Sequence, residues 1–126
     1  YAFYGCSNLM SVDLSSVQSI NSYGLQSTFH GCSSLMNVDL SSVQSVGSYG
    51  LSDAFRGCTS LTTISFPSLT SVSASTIGSS FSTLTFYDCI NLAEIHFRAD
   101  MQAEIETQTG YASKFGATNA TIYFDL

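Results

Sequence analysis

Apolar and polar positions follow one another along this chain in a fixed order. Phe3, Phe29, Phe55 and Phe86 are each followed three residues later by Cys6, Cys32, Cys58 and Cys89, and three residues after that by Leu9, Leu35, Leu61 and Leu92. An alternating pair comes next: Val12 and Leu14, Val38 and Leu40, Ile64 and Phe66, Ile95 and Phe97. The phenylalanines are spaced by 26, 26 and 31 residues. Residues 5–25 and 31–51 agree at 17 of 21 positions. A period of two predicts strands, here near 11–15, 37–41, 63–67 and 93–97, with one side of each facing inward.

Self-similarity at this period marks a solenoid, in which each unit buries its apolar side only by stacking on the next. Leu9-x-x-Val12-x-Leu14 has the spacing of a leucine-rich repeat. Val17 and Ile20, Val43 and Val46, and Leu69 and Val72 continue the inward set beyond each strand. Pro67 closes the third strand, because proline cannot donate to a ladder. Gly5, Gly31 and Gly57 suit a tight left-handed turn before each Cys, and Asp88 takes that place in the fourth unit.

From residue 98 the character changes. Asp100 can cap a helix that carries Met101 and Ile105 on one face and Glu104 and Glu106 near its positive end. Gly110 is expected to end it, with a second short turn over 111–115 and a final strand in 120–125. The expected organisation is therefore a repeat region over 1–97, its first unit truncated, and a C-terminal cap over 98–126 within the same domain. Tyr1 to Phe3 already lie inside a unit, so the natural protein is expected to continue upstream.

The phrases AFYGCSNLMSV, TFHGCSSLMNV and AFRGCTSLTTI resemble the BspA-like class of bacterial leucine-rich repeats. The resemblance covers residues 2–97. It implies an α/β repeat solenoid, a right-handed leucine-rich-repeat-like coil with one parallel strand per rung and a helix-plus-strand cap, in a binding protein of the bacterial cell surface. Two departures stand out. Val17, Val43 and Leu69 occupy the position where many such repeats bury an asparagine, and the 26-residue period exceeds the usual unit. The closing phrase GYASKFGATNATIYFDL also resembles endings of repeat proteins from gut bacteria and their phages.

Composition narrows the partners. Only 10% of residues are charged and the net charge is −6, with Arg56, Arg98 and Lys114 the sole basic side chains. Three scattered cations make no basic patch, so no nucleic-acid partner is expected. No apolar run reaches the length of a membrane span.

Candidate chemistry is sparse. The four cysteines form one column, expected to be inward and reduced, although strand spacing alone does not exclude Cys6–Cys32 and Cys58–Cys89 pairs. A linear column cannot supply tetrahedral zinc, so no metal site is expected there. His30 and Cys32 could be imagined as a nucleophilic pair, but Cys32 should point in and His30 out. Asp13 and Asp39 could form a weak cation site, yet two carboxylates and a serine fall short of what calcium requires, and full solvation is the simpler reading. The many serines read as surface filler. No catalytic residue and no cofactor is expected, and the chain is read as a non-enzyme.

The functional expectation is adhesion through the outward strand face. Asp13, Asp39, Ser65, Glu94, His96 and Arg98 are the candidate binding residues for a protein or glycan on a host cell. The alternative is a structural or receptor-binding component of a gut bacteriophage particle, possible there as a homo-oligomer.

Overall fold

The computed structural model describes all of residues 1–126. Four short strands follow the alternating pairs: β1 (Ser11–Asp13), β3 (Asn37–Asp39), β5 (Thr63–Phe66) and β7 (Glu94–Phe97). A second strand follows each of the first three: β2 (Ser19–Ile20), β4 (Ser45–Val46) and β6 (Ser71–Val72). The last strand is β8 (Thr121–Phe124). All pairing is parallel, between residues one period apart, so that Val12 faces Val38 and Ile64 faces Ile95. Three sheets result, ordered β1-β3, β2-β4-β6 and β5-β7-β8.

The side opposite β1, β3, β5 and β7 is built from turns. There Phe29 N–H donates to the Ala54 carbonyl at 2.9 Å, Phe55 N–H to Thr85 at 3.0 Å, and Gly57 N–H to Tyr87 at 2.8 Å. Gly5, Gly31 and Gly57 have φ of 71°, 78° and 76°, and Asp88 has 62°, so the left-handed turn recurs in all four units. Inside it, Phe3, Phe29, Phe55 and Phe86 stack face to face with centroids 5.5–5.6 Å apart. Burying one such ring stabilises by roughly 1.5–3 kcal/mol, and each stacked pair adds about 0.5–1.5 kcal/mol. A second stack, Phe66, Phe97 and Phe124, rises on the strand side at 5.2 and 5.9 Å.

Several expectations need correction. Helix is scarce: the only α-helix is α1 (Gln102–Glu106), with 3₁₀ turns at Ser75–Ile77, Ala99–Met101 and Tyr111–Gly116. The repeats themselves carry turns where an α/β architecture would place helices. Asp100 makes no cap hydrogen bond, because its carboxylate is held by Arg98. α1 stops at Glu106, before Gly110, whose left-handed backbone opens the next 3₁₀ turn instead. The cysteine column is buried at Cys32, Cys58 and Cys89 but exposed at Cys6, which has a stacked neighbour on one side only. All four are free thiols.

The serines also do more than fill surface. Ser68 Oγ donates to the Ser41 carbonyl at 2.6 Å, Ser60 Oγ to Ser33 at 2.7 Å, and the buried Ser80 Oγ to Val46 at 2.6 Å. Each bond joins one repeat to the one before it. Small hydroxyls thus supply hydrogen bonds between repeats.

The longer third spacing places an extra segment after β6. Phe81 at its end enters the core beside Phe66, Phe97 and Phe115. Gln108 holds the segment from the other side. Its Oε1 accepts from Ser79 Oγ at 2.8 Å and from Phe81 N–H at 3.1 Å, while its Nε2 donates to the Ser73 carbonyl at 2.7 Å.

Candidate outward strand face

Side chains alternate across a strand, so β1, β3, β5, β7 and β8 turn Asp13, Asp39, Ser65, His96 and Tyr123 outward in one row. Within that row Asp13 is in register with Asp39, Ser65 with His96, and His96 with Tyr123. The six residues named from the sequence fall into two groups.

At the N-terminal end, Asp13 and Asp39 sit on adjacent strands. Each folds back on its own chain, with Oδ1 accepting the N–H of Ser15 or Ser41 at 2.9 Å. Hydrogen bonds from the Ser15 hydroxyl and N–H hold the Asp13 carboxyl below its ordinary range. An Asp two residues before the donor makes such a turn readily, which explains why the strand ends where it does.

At the C-terminal end, Glu94 and His96 are brought together, Arg98 is paired separately with Asp100, and each is already engaged. The His96 imidazole lies between two carboxylates, with Nε2 at 2.8 Å from Glu94 Oε1 and Nδ1 at 2.8 Å from Asp125 Oδ1. Its ring stacks on Tyr123 with centroids 4.9 Å apart and planes at 12°. Partial burial works against the charged ring, but the hydrogen bonds and charges of Asp125 and Glu94 outweigh it and raise its pKa. Arg98 grips Asp100 through two bonds, Nε to Oδ1 at 2.9 Å and an Nη to Oδ2 at 2.7 Å. The pair lowers the Asp100 pKa. Asp125, Asp100 and Tyr123 complete these contacts and were not found by reading outward strand positions alone. Asp125 could have been found by aligning the last strand under Ile95-His96-Phe97.

Ser65 stands between the two groups. It pairs with His96 on one side, but on the other the ladder stops, because β3 and β5 share no strand pairing. A depression of about 320 Å³ lies there, between Asn37–Ser41 on one rim and Thr63, Ser65 and Pro67 on the other.

The histidine and thiol candidates separate as the alternation demands. His30 packs against the exposed Tyr4 ring at 4.6 Å, whereas Cys32 is fully buried. Cys32, Cys58 and Cys89 instead donate their thiol hydrogens to the carbonyls of Phe3, Phe29 and Phe55, at 3.2, 3.2 and 2.9 Å. Burial pushes the Cys89 thiol up to about 12 and raises Cys58 as well. The buried thiols are donors to the neighbouring repeat, and they lie far from nucleophilic chemistry.

Repeats joined through parallel strands, with a Phe–Cys phrase at each turn, define a leucine-rich repeat protein. The profile of the BspA type Leucine rich repeat region matches residues 1–107 in six copies, and the chain belongs to that family. Six copies over that span also mean that the family unit is shorter than the 26-residue period. No curated protein and no solved structure matches the chain.

Proposed function

We propose that this chain is a non-enzymatic adhesion module, part of a repeat protein displayed on a bacterial cell surface. In this reading residues 1–97 form a right-handed solenoid and residues 98–126 close its end as a cap. The outward strand face meets a protein or a glycan on a host cell. The observation that carries the reading is the row Asp13, Asp39, Ser65. Asp13 and Asp39 project in register from paired strands, Ser65 stands across the gap between β3 and β5, and no contact between repeats depends on these side chains. Strand pairing on each side of the gap holds these side chains in place, so a partner loses little freedom in ordering them. Charge along the row is graded, with unpaired carboxylates at one end and, at the other, Glu94 and Asp125 partly offset by His96 and Asp100 balanced by Arg98.

The test is binding of the labelled protein to cultured epithelial cells, comparing the wild type with Asp13→Ser/Asp39→Ser. The double variant should change its melting temperature little, since the lost Asp turns at Ser15 and Ser41 are offset by the lost like-charge repulsion and serine still makes the turn more weakly. Its cell binding should fall severalfold. Binding that survives this change but is lost in Tyr23→Ser/Tyr49→Ser would move the contact to the turns, where those two exposed rings stack at 5.2 Å.

A further inference from the structure

The gap between β3 and β5 has a cause in the sequence. In the first two repeats the inward pair is Val12 and Leu14, then Val38 and Leu40; in the later ones it is Ile64 and Phe66, Ile95 and Phe97, Ile122 and Phe124. Phe66 lies flat against Phe97 at 5.2 Å and edge-on to Phe81 at 5.4 Å, which ties β5 to the C-terminal side. Leu40 has no ring to place in that stack. The ladder therefore parts where leucine gives way to phenylalanine, while the other walls stay joined. Across the same two repeats, Gly31 N–H still donates to Arg56 at 2.8 Å and Thr70 N–H to Gln44 at 2.9 Å.

The parting leaves backbone groups without backbone partners. Leu14 N–H donates to the Asp39 carbonyl at 3.0 Å, but the corresponding N–H of Leu40 has no acceptor. Ala93 N–H donates to the Thr62 carbonyl at 2.9 Å, but Thr62 N–H itself has no backbone acceptor and the Met36 carbonyl has no donor. Beside them stand Asp39, with one carboxylate oxygen free of Ser41, and the hydroxyls of Thr63 and Ser65. Val38, Leu40 and Ile64 make up the apolar part of the depression's lining.

A ligand filling this slot must accept from an N–H and donate to a carboxylate and a carbonyl. A cation can only donate and an anion can only accept, whereas a hydroxyl does both. No Lys or Arg lines the slot, and Asp39 would repel an anion. A lining part apolar and part polar suits a sugar ring, which has a face of C–H bonds and an edge of hydroxyls. The volume of about 320 Å³ is at the small end for ligand sites, with room for roughly one or two rings.

We propose that the slot between β3 and β5 is a binding site for neutral carbohydrate, in which Asp39 takes ring hydroxyls and the unpaired Leu40 N–H donates to one. This rests on the outward-face reading and names the ligand class and the place on that face.

The test is amide-resolved NMR titration of the intact protein with maltotriose, mannotriose, N-acetylchitotriose and lactose. Argininamide and 3′-sialyllactose serve as cationic and anionic probes. At least one neutral sugar should shift the Leu40, Thr62 and Ser65 amides saturably at or below about 10 mM. Asp39→Asn, which keeps the oxygen that Ser41 needs, should weaken that sugar about tenfold through loss of charge-assisted bonds. Ser65→Trp should block it and Glu104→Gln leave it unchanged, with melting temperatures showing that each variant is folded. No response to any neutral sugar, shifts indifferent to both slot variants, or argininamide bound as tightly at the same amides would each overturn the proposal. Sugar-induced shifts confined to Glu94, His96 and Arg98 would also overturn the slot while leaving the outward face standing. A loss of cell binding in the Asp13/Asp39 double variant without any sugar response would do the same.

Discussion

The thiol of Cys58 donates to the carbonyl oxygen of Phe29, one repeat earlier, at 3.2 Å. That carbonyl already accepts the backbone N–H of Cys32 at 3.1 Å, so both of its lone pairs are used. The same arrangement recurs at Cys32 and Cys89. No asparagine column accompanies it, since Val17, Val43 and Leu69 stand at the position expected for one. The cysteines therefore do two things at once, filling space as small hydrophobes and satisfying a buried acceptor.

It follows that the native protein should offer one reactive thiol, Cys6, to a thiol reagent at neutral pH, and four once denaturant is added. The buried three are shielded by packing, and burial raises their pKa values, so little thiolate forms. Four rapid reactions in the folded state would contradict the buried column. None after denaturation without reductant would reveal disulfides.

The His96 cluster makes stability depend on pH. Its pKa is raised in the fold by Asp125 and Glu94, so the folded state holds the ring proton more tightly than the unfolded chain does. The stabilisation is fully present below the unfolded value of about 6.5 and is lost as pH rises through the folded value. The melting temperature should therefore fall as pH is raised across this window. Asp125→Asn should lower the ring pKa, read by NMR titration of the imidazole, and flatten the pH dependence. An unchanged titration curve in that variant would show that Asp125 does not hold the proton.

The left-handed turn before each cysteine gives a third expectation. Gly57 has φ of 76°, and a Cβ added there would meet nothing nearer than 3.6 Å, so Gly57→Ala has space and suffers only in its backbone. It should destabilise by about 1–2 kcal/mol. Asp88 holds the same turn at φ 62° without glycine's freedom, and Asp88→Gly should stabilise by up to about 1 kcal/mol. Urea denaturation of the two variants against the wild type measures both. Equal stability in all three would mean that the turn is not under backbone strain.

Much of this fold was legible in the chain because repetition makes each residue a control for the next. Phe29 and Cys32 recur in register with Phe55 and Cys58, and that register alone places the strands, the inward pairs and the glycine turns. What occurs once could not be read in that way. Gln108 satisfies Ser73, Ser79 and Phe81, on a segment present in only one repeat, and no period points to it. Asp100 looked like a helix cap because cap residues are short and polar, but Arg98 two residues earlier offered a bidentate charged partner and took the carboxylate instead. Of the site, the outward row was legible from alternation, whereas the pairing of His96 with Asp125 depends on β8 lying beside β7. The break beside Ser65 was written in the change from Leu40 to Phe66, a change of volume that apolar patterning treats as no change at all.

The switch in inward residues also divides the repeats into two kinds of interchangeable part. The first two offer Val and Leu on the strand side, and their joint is nearly the same sequence meeting itself. A unit duplicated there by recombination would meet familiar neighbours above and below, and the chain could lengthen without any new contact having to arise. Units bearing Ile and Phe belong to the other kind and could not be shuffled freely across the boundary. The boundary itself would then persist as a single seam however long the array grew.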